Sequence, residues 1–183
     1  TSTQQRRLNE QAVQLCVKDL SDGDARSIFK NVSMDFFNYG RIKMFLSAYN
    51  TNPTNVINDD ELVAFIRLGT DFDENYYEIE LPLKITPAGA PRTVEAIWPA
   101  ENLDDLYALK VKRDREGYNL GLLYPQDGPA PAGKHGIRIL GRPDISQVRL
   151  MMIGIRNPRE DGRSYNLCLW ANELRLTDID RTA

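Results

Sequence analysis

The chain has 183 residues, enough to bury roughly 70% of its unfolded surface in one core, and we read it as one domain. A net charge of −3 argues against a nucleic-acid footprint, which carries a clear basic excess. No apolar run approaches the ~20 residues of a membrane helix. The chain starts at Thr1 without a signal peptide, and so reads as a mature protein or an excised piece. Residues 1–10 are polar and read as a disordered lead-in. Val13, Leu15 and Val17 alternate, predicting a strand over 11–19. Ser21 to Asp24 is a turn cluster, and Arg26–Lys30 reads as a short second strand at a sheet edge. Asp35–Tyr39 is aromatic and packs as a loop or a helical turn. In Arg41–Tyr49, Ile42, Met44, Leu46 and Ala48 point inward. A polar loop runs from Asn50 to Asp60.

Glu61–Leu83 reads as a hairpin with an acidic loop. Leu62, Ala64, Ile66 and Leu68 share one face of its first strand, and Val63 and Phe65 make the other face apolar too, so this strand is central. In the second strand Tyr77, Ile79 and Leu81 oppose Glu78 and Glu80. Thr86–Arg92 breaks the pattern. From Asn102 the period becomes helical. Asp104 and Asp105 sit in the first turn and Lys112, Arg113 and Arg115 near the end, where the helix dipole favours them, predicting a helix over 102–113. Tyr124–Gly136 is a Pro- and Gly-rich loop and Ile137–Leu140 a short strand. Val148–Arg156 is a central strand, Asn157–Gly162 a turn, and Leu167–Leu176 the last strand. About eight strands and one helix predict a mainly β fold, a two-sheet antiparallel β-sandwich of jelly-roll type.

Five features invite a chemical reading. Residues 128–134 match a phosphate-binding loop, but His135 replaces its Ser or Thr, prolines remove N–H donors, and a strand follows instead of a helix. This is a proline-rich loop, and His135, the single histidine, is an exposed loop residue. Asp71, Asp73 and Asn75 offer oxygens at alternate positions, a pattern open to a structural calcium. Tyr76 and Pro82 stand where a calcium-binding EF-hand needs Gly and Glu, so a solvated turn is the simpler reading. Glu78 and Glu80 lie roughly 7 Å apart on one strand face, within reach of a glycosidic bond; the simpler reading is the outward polar side of a half-buried strand. Tyr76, Trp98, Tyr118 and Tyr124 would make a sugar platform if they met. Cys16 and Cys168 lie near opposite ends. First and last strands of sandwiches are often neighbours, so a bridge is open, but we read two unpaired small hydrophobic residues.

Seven stretches carry a resemblance. They are RRLNEQ from Arg6, ELVAFIRLG from Glu61, NYYEIELPL from Asn75, IWPAEN from Ile97, GRPD from Gly141, VRLMMIGIRN from Val148 and WANELRLTDID from Trp170. In this order they resemble the SprA/Sov family, the giant outer-membrane translocon of the type 9 secretion and gliding-motility system of Bacteroidetes. The last stretch is the most specific. The resemblance implies a non-catalytic inserted domain of a β-barrel that exports folded cargo. Its partners would be the rest of the barrel, accessory subunits and secreted cargo, and it would face the extracellular or the periplasmic side. It transfers no site residue. A carbohydrate-binding jelly-roll module, or a glycosidase using Glu78 and Glu80, is the alternative.

Overall fold

A computed structural model describes residues 6–7, 13–91, 96–128, 130–132 and 135–179. The described elements are β1 (Arg6–Arg7), β2 (Val13–Leu20), β3 (Ala25–Met34), β4 (Tyr39–Asn50), β5 (Val63–Gly69), β6 (Tyr76–Pro82), β7 (Ala96–Asn102), α1 (Leu103–Arg115), β8 (Ala130–Ala132), β9 (His135–Leu140), β10 (Val148–Arg156) and β11 (Tyr165–Ile179). They form two antiparallel sheets. One has the order β1-β11-β4-β7, with β2 also on β11; the other runs β3-β10-β5-β6-β9-β8.

The predicted sandwich is present, and its topology can be followed strand by strand. Leaving out β1 and the β8–β9 hairpin, β2-β11-β4-β7 faces β3-β10-β5-β6. Successive strands cross from sheet to sheet except at the β5–β6 hairpin, which is the double Greek key of a jelly roll. The expected inward rows meet between the sheets. Ile42, Met44, Leu46 and Ala48 from β4 face Ala64, Ile66 and Leu68 from β5 and Tyr77 and Ile79 from β6, all buried. β5 and β10 are interior strands, as their two apolar faces require.

Two poles close the sandwich. At one, α1 buries Leu103, Leu106 and Leu109, while fully buried Arg113 donates from Nη1 to the carbonyl of Gly141 at 2.5 Å. Lys110 Nζ donates to the carbonyl of Pro143 at 3.0 Å, so the helix is clasped to the β9–β10 turn. At the other pole the β2–β3 turn, the β4–β5 loop and the β10–β11 loop meet. There buried Asn157 accepts from the Gly23 N–H and donates its own N–H to Asp24, both at 2.9 Å.

Three expectations change. Cys16 and Cys168 are a disulfide: they are register partners in the β2–β11 pair, with Cα atoms 4.0 Å apart. Local composition could not show this, because the bridge closes a separation of 152 residues. The loop expected over 124–136 holds β8 and the start of β9, and His135 is a strand residue opposite Ala132, its side chain lying outside the described residues. β7 was not expected, since Pro99 sits inside it. The pairing with β4 skips there, between Met44↔Trp98 and Ile42↔Glu101, and β7 is an edge strand, the position where a proline costs no ladder bond. The expected disordered lead-in falls mostly outside the described residues.

Candidate functional site: the outer face of the six-stranded sheet

Glu78 and Glu80 do share a face of β6, as the alternation requires, but that face is not a solvated one. The Glu78 side chain is 1% exposed. Its Oε2 accepts from Arg67 Nε on β5 at 2.8 Å, and its Oε1 from Arg156 Nη1 on β10 at 2.7 Å. Arg156 Nη1 also donates to Glu80 Oε1. The expected outward polar row is therefore corrected to a covered ion-pair ladder across three strands. It arises because the facing rows of β5 and β10 carry long cations that a polar row alone does not announce.

Aromatic rings support the ladder. The Arg156 guanidinium lies over the Phe65 ring at 4.6 Å, and that of Arg67 over Tyr76 at 4.2 Å. Phe65 has room because its register partner is Gly154; a Cβ there would meet Phe65 Cζ at 2.4 Å and the Arg26 carbonyl at 2.7 Å. Phe65 packs with Leu150 and Met152 into a small second core on this outer face. At its margin Phe29 and Phe72 stack with centroids 5.5 Å apart, 59% and 40% exposed. The carbonyl of Phe72 accepts from Arg67 Nη1 at 2.7 Å, which folds the acidic β5–β6 loop over the sheet.

The two carboxyls are driven apart. Burial opposes ionisation of Glu78, yet the hydrogen bond and charge of Arg156, with Arg67, outweigh it and hold the carboxyl below the usual range. Burial dominates at Glu80, and with the neighbouring Glu78 charge it raises that carboxyl in spite of Arg156. Divergent carboxyls suit acid–base work. Here, however, both oxygens of Glu78 are engaged by guanidinium groups and the side chain is closed to a substrate.

The other candidates are placed as follows. Asp71 Oδ1 accepts the N–H groups of Asp73, Glu74 and Asn75 at 3.3, 2.6 and 2.7 Å, and Oδ2 accepts from Asn75 Nδ2 at 3.0 Å. Asn75 Oδ1 in turn accepts the Arg142 N–H at 2.8 Å. The oxygens of Asp71 thus close the loop on itself and that of Asn75 ties it to the β9–β10 turn, while Asp73 is exposed. Among the described residues no group of three or more His, Cys, Asp or Glu side chains is arranged to hold a metal. Of the aromatic set, Tyr118 and Tyr124 meet edge to face at 4.9 Å. Tyr124 is buried and bridges to Ile139 on the inner row, whereas Tyr76 is buried on the outer face beneath Arg67. The Trp98 side chain lies outside the described residues, as do residues 129, 133 and 134 of the phosphate-loop match.

Sequence reasoning missed Arg67, Arg156 and the Phe29–Phe72 stack. One signal for the ladder was readable: Arg67 is a long cation inside a strand otherwise apolar on both faces, where a charge needs a partner. The stretches of the resemblance also converge. Gly141, at φ 67°, packs so tightly that a Cβ would lie 2.1 Å from the Glu74 carbonyl, and a Cβ on Gly69 would lie 2.0 Å from that of Asn75. One corner thus joins the ends of ELVAFIRLG, NYYEIELPL and GRPD.

These observations define a jelly-roll β-sandwich in which Arg67, Glu78, Glu80 and Arg156 serve as a cross-strand tie. The family described as motility related/secretion protein, SprA_N, matches residues 1–183, and the chain belongs to that family. No curated protein matches the chain. A role in motility or secretion follows from the family.

Proposed function

We propose that this chain is a non-catalytic domain of a type 9 secretion and gliding-motility outer-membrane translocon. It contributes a structural or protein-interaction surface to protein export. Its partners are the rest of the translocon barrel, its accessory subunits and secreted cargo. The observation that carries the reading is the family match along the whole chain. Two structural features support it. The Cys16–Cys168 bridge fits an oxidising compartment such as the periplasm or the cell surface. Both carboxylate oxygens of Glu78 are committed to internal ion pairs with Arg67 and Arg156, which leaves Glu78 without a free oxygen for catalysis.

The test is an in-frame deletion of this segment in the bacterium that encodes it. Export of proteins bearing the C-terminal sorting domain and gliding should both fail, while the remaining barrel protein still reaches the outer-membrane fraction. Normal export and gliding would contradict the proposal. Polysaccharide hydrolysis by the purified chain, abolished in Glu80→Gln, would replace it with the glycosidase reading.

A further inference from the structure

Sheet edges are where a β-sandwich can add a strand from another chain, and this protein guards its edges unequally. β8 is three residues long and contains Pro131. β7 carries Pro99 and a register skip. β2 has eight residues and is interrupted by a register shift at Lys18 and Asp19, where Asp19 has a φ of 53°. β3 has none of these devices over most of its length. It is ten residues long, lacks Pro and Gly, and among the described residues pairs only with β10. The pairing is regular from Ala25↔Arg156 to Asn31↔Leu150, and a bulge comes only at Val32 and Ser33.

We propose that residues 25–31 of β3 are a strand-addition site for an extended segment of another polypeptide, with acidic side chains alternating with apolar ones. The backbone edge supplies the hydrogen bonds, and the two side-chain rows supply the selectivity. On the outer row Phe29 is 59% exposed and stacked on Phe72, and it lies opposite buried Met152, a ready-made apolar shelf. The other row holds two exposed cations, Arg26 and Lys30, on either side of half-buried Ile28. Arg26 has an exposed contact with Asp24 at 3.4 Å, and Lys30 has no ion-pair partner among the described residues. Acidic residues on the added strand would face both cations, because directly opposed cross-strand residues share a face. A second copy of β3 is a poorer occupant: pairing centred on Ile28 sets Arg26 against Lys30.

This deepens the reading that the domain contacts other polypeptides, and its test does not depend on the secretion assay, so either can fail alone. The purified 183-residue chain is titrated with three short capped peptides while backbone amides are followed by NMR. One alternates valine and glutamate, one alternates valine and lysine, and one is the glutamate peptide with N-methylated backbone on one edge. The first should bind, with shifts concentrated in residues 25–31. The lysine peptide should bind about tenfold more weakly or worse, and the N-methylated peptide should not bind. Lys30→Glu, an exposed change whose fold the same spectra verify, should narrow or reverse the preference, and Phe29→Ala should weaken both complexes. Absence of binding, equal binding of both charge types, indifference to N-methylation, shifts mapping away from β3, or a concentration-dependent dimer through β3 in place of peptide binding would each overturn the proposal.

Discussion

Two regions of this molecule use arginine–carboxylate pairs to different ends. On the outer face of the six-stranded sheet, Arg67, Glu78, Arg156 and Glu80 form a ladder that spans three strands. At the pole made by the β2–β3, β4–β5 and β10–β11 loops, Arg159 pairs with Asp161 at 2.7 Å and lies 3.7 Å from Glu61, while Arg163 donates to Asn55 at 2.7 Å. The distances are alike; the surroundings are not. The ladder sits on Phe65 and Tyr76 and its central carboxylate is closed to water, so each charge depends on its partner. The pole pair Arg159–Asp161 stays in contact with water, which solvates either partner when the other is lost. An ion pair becomes a structural element where burial removes that alternative.

Removing one end of a covered pair is the strongest way to sharpen the contrast. Glu78→Ala removes the buried carboxylate that Arg67 and Arg156 share and should cost about 3–5 kcal/mol in a urea titration. Ile66→Ala, on the inner side of the neighbouring strand β5, should cost a similar roughly 2–5 kcal/mol as a core truncation. A much smaller effect of Glu78→Ala than of Ile66→Ala would mean that the outer face is solvated after all.

Acid should separate the two glutamates by sign. The folded carboxyl of Glu78 is held low, so its contribution is complete above the unfolded pKa near 4.5 and is lost as pH falls through the folded value. Glu80 is raised, so its contribution is present below that unfolded value and is lost as pH rises through the folded one. Glu78→Gln should therefore flatten the loss of stability in acid, measured as urea midpoints below neutral pH. Glu80→Gln should steepen it. Matching profiles for the two variants would show that they do not occupy opposed positions in the ladder.

The smallest effects belong to the pole. Asp161→Asn should leave the unfolding midpoint unchanged within error at high salt, and a large salt-independent loss there would erase the contrast.

How much of this was legible depends on the range of the interaction. The inward rows of β4 and β5, the central place of β10 and the dipole-matched helix are written in neighbouring residues, and all can be read directly from the alternation or the 3.6-residue period. Arg156 is 78 residues from Glu78, and Cys16 is 152 from Cys168. Those partners meet through strand order, which no local window contains. The polar row of Glu78 and Glu80 was legible as a row but not as a buried one, because its cover comes from β10 and from the loop that carries Phe72. β7 was hidden by Pro99, a residue that only an edge position tolerates. The disulfide closes a long loop, and in the chain-entropy picture its removal should cost on the order of 5 kcal/mol. A Cys16→Ala, Cys168→Ala chain that unfolds at the same urea concentration as the oxidised protein would disprove that bridge.

The central claim is that Glu78 is committed to Arg156 as a tie across the sheet and not to chemistry. A double-mutant cycle of Glu78→Ala and Arg156→Ala, measured by urea unfolding at low and high salt, tests it most directly. The predicted result is a coupling of about 1–3 kcal/mol that persists at high salt; additive effects within ~0.3 kcal/mol, or a coupling that salt removes, would contradict it.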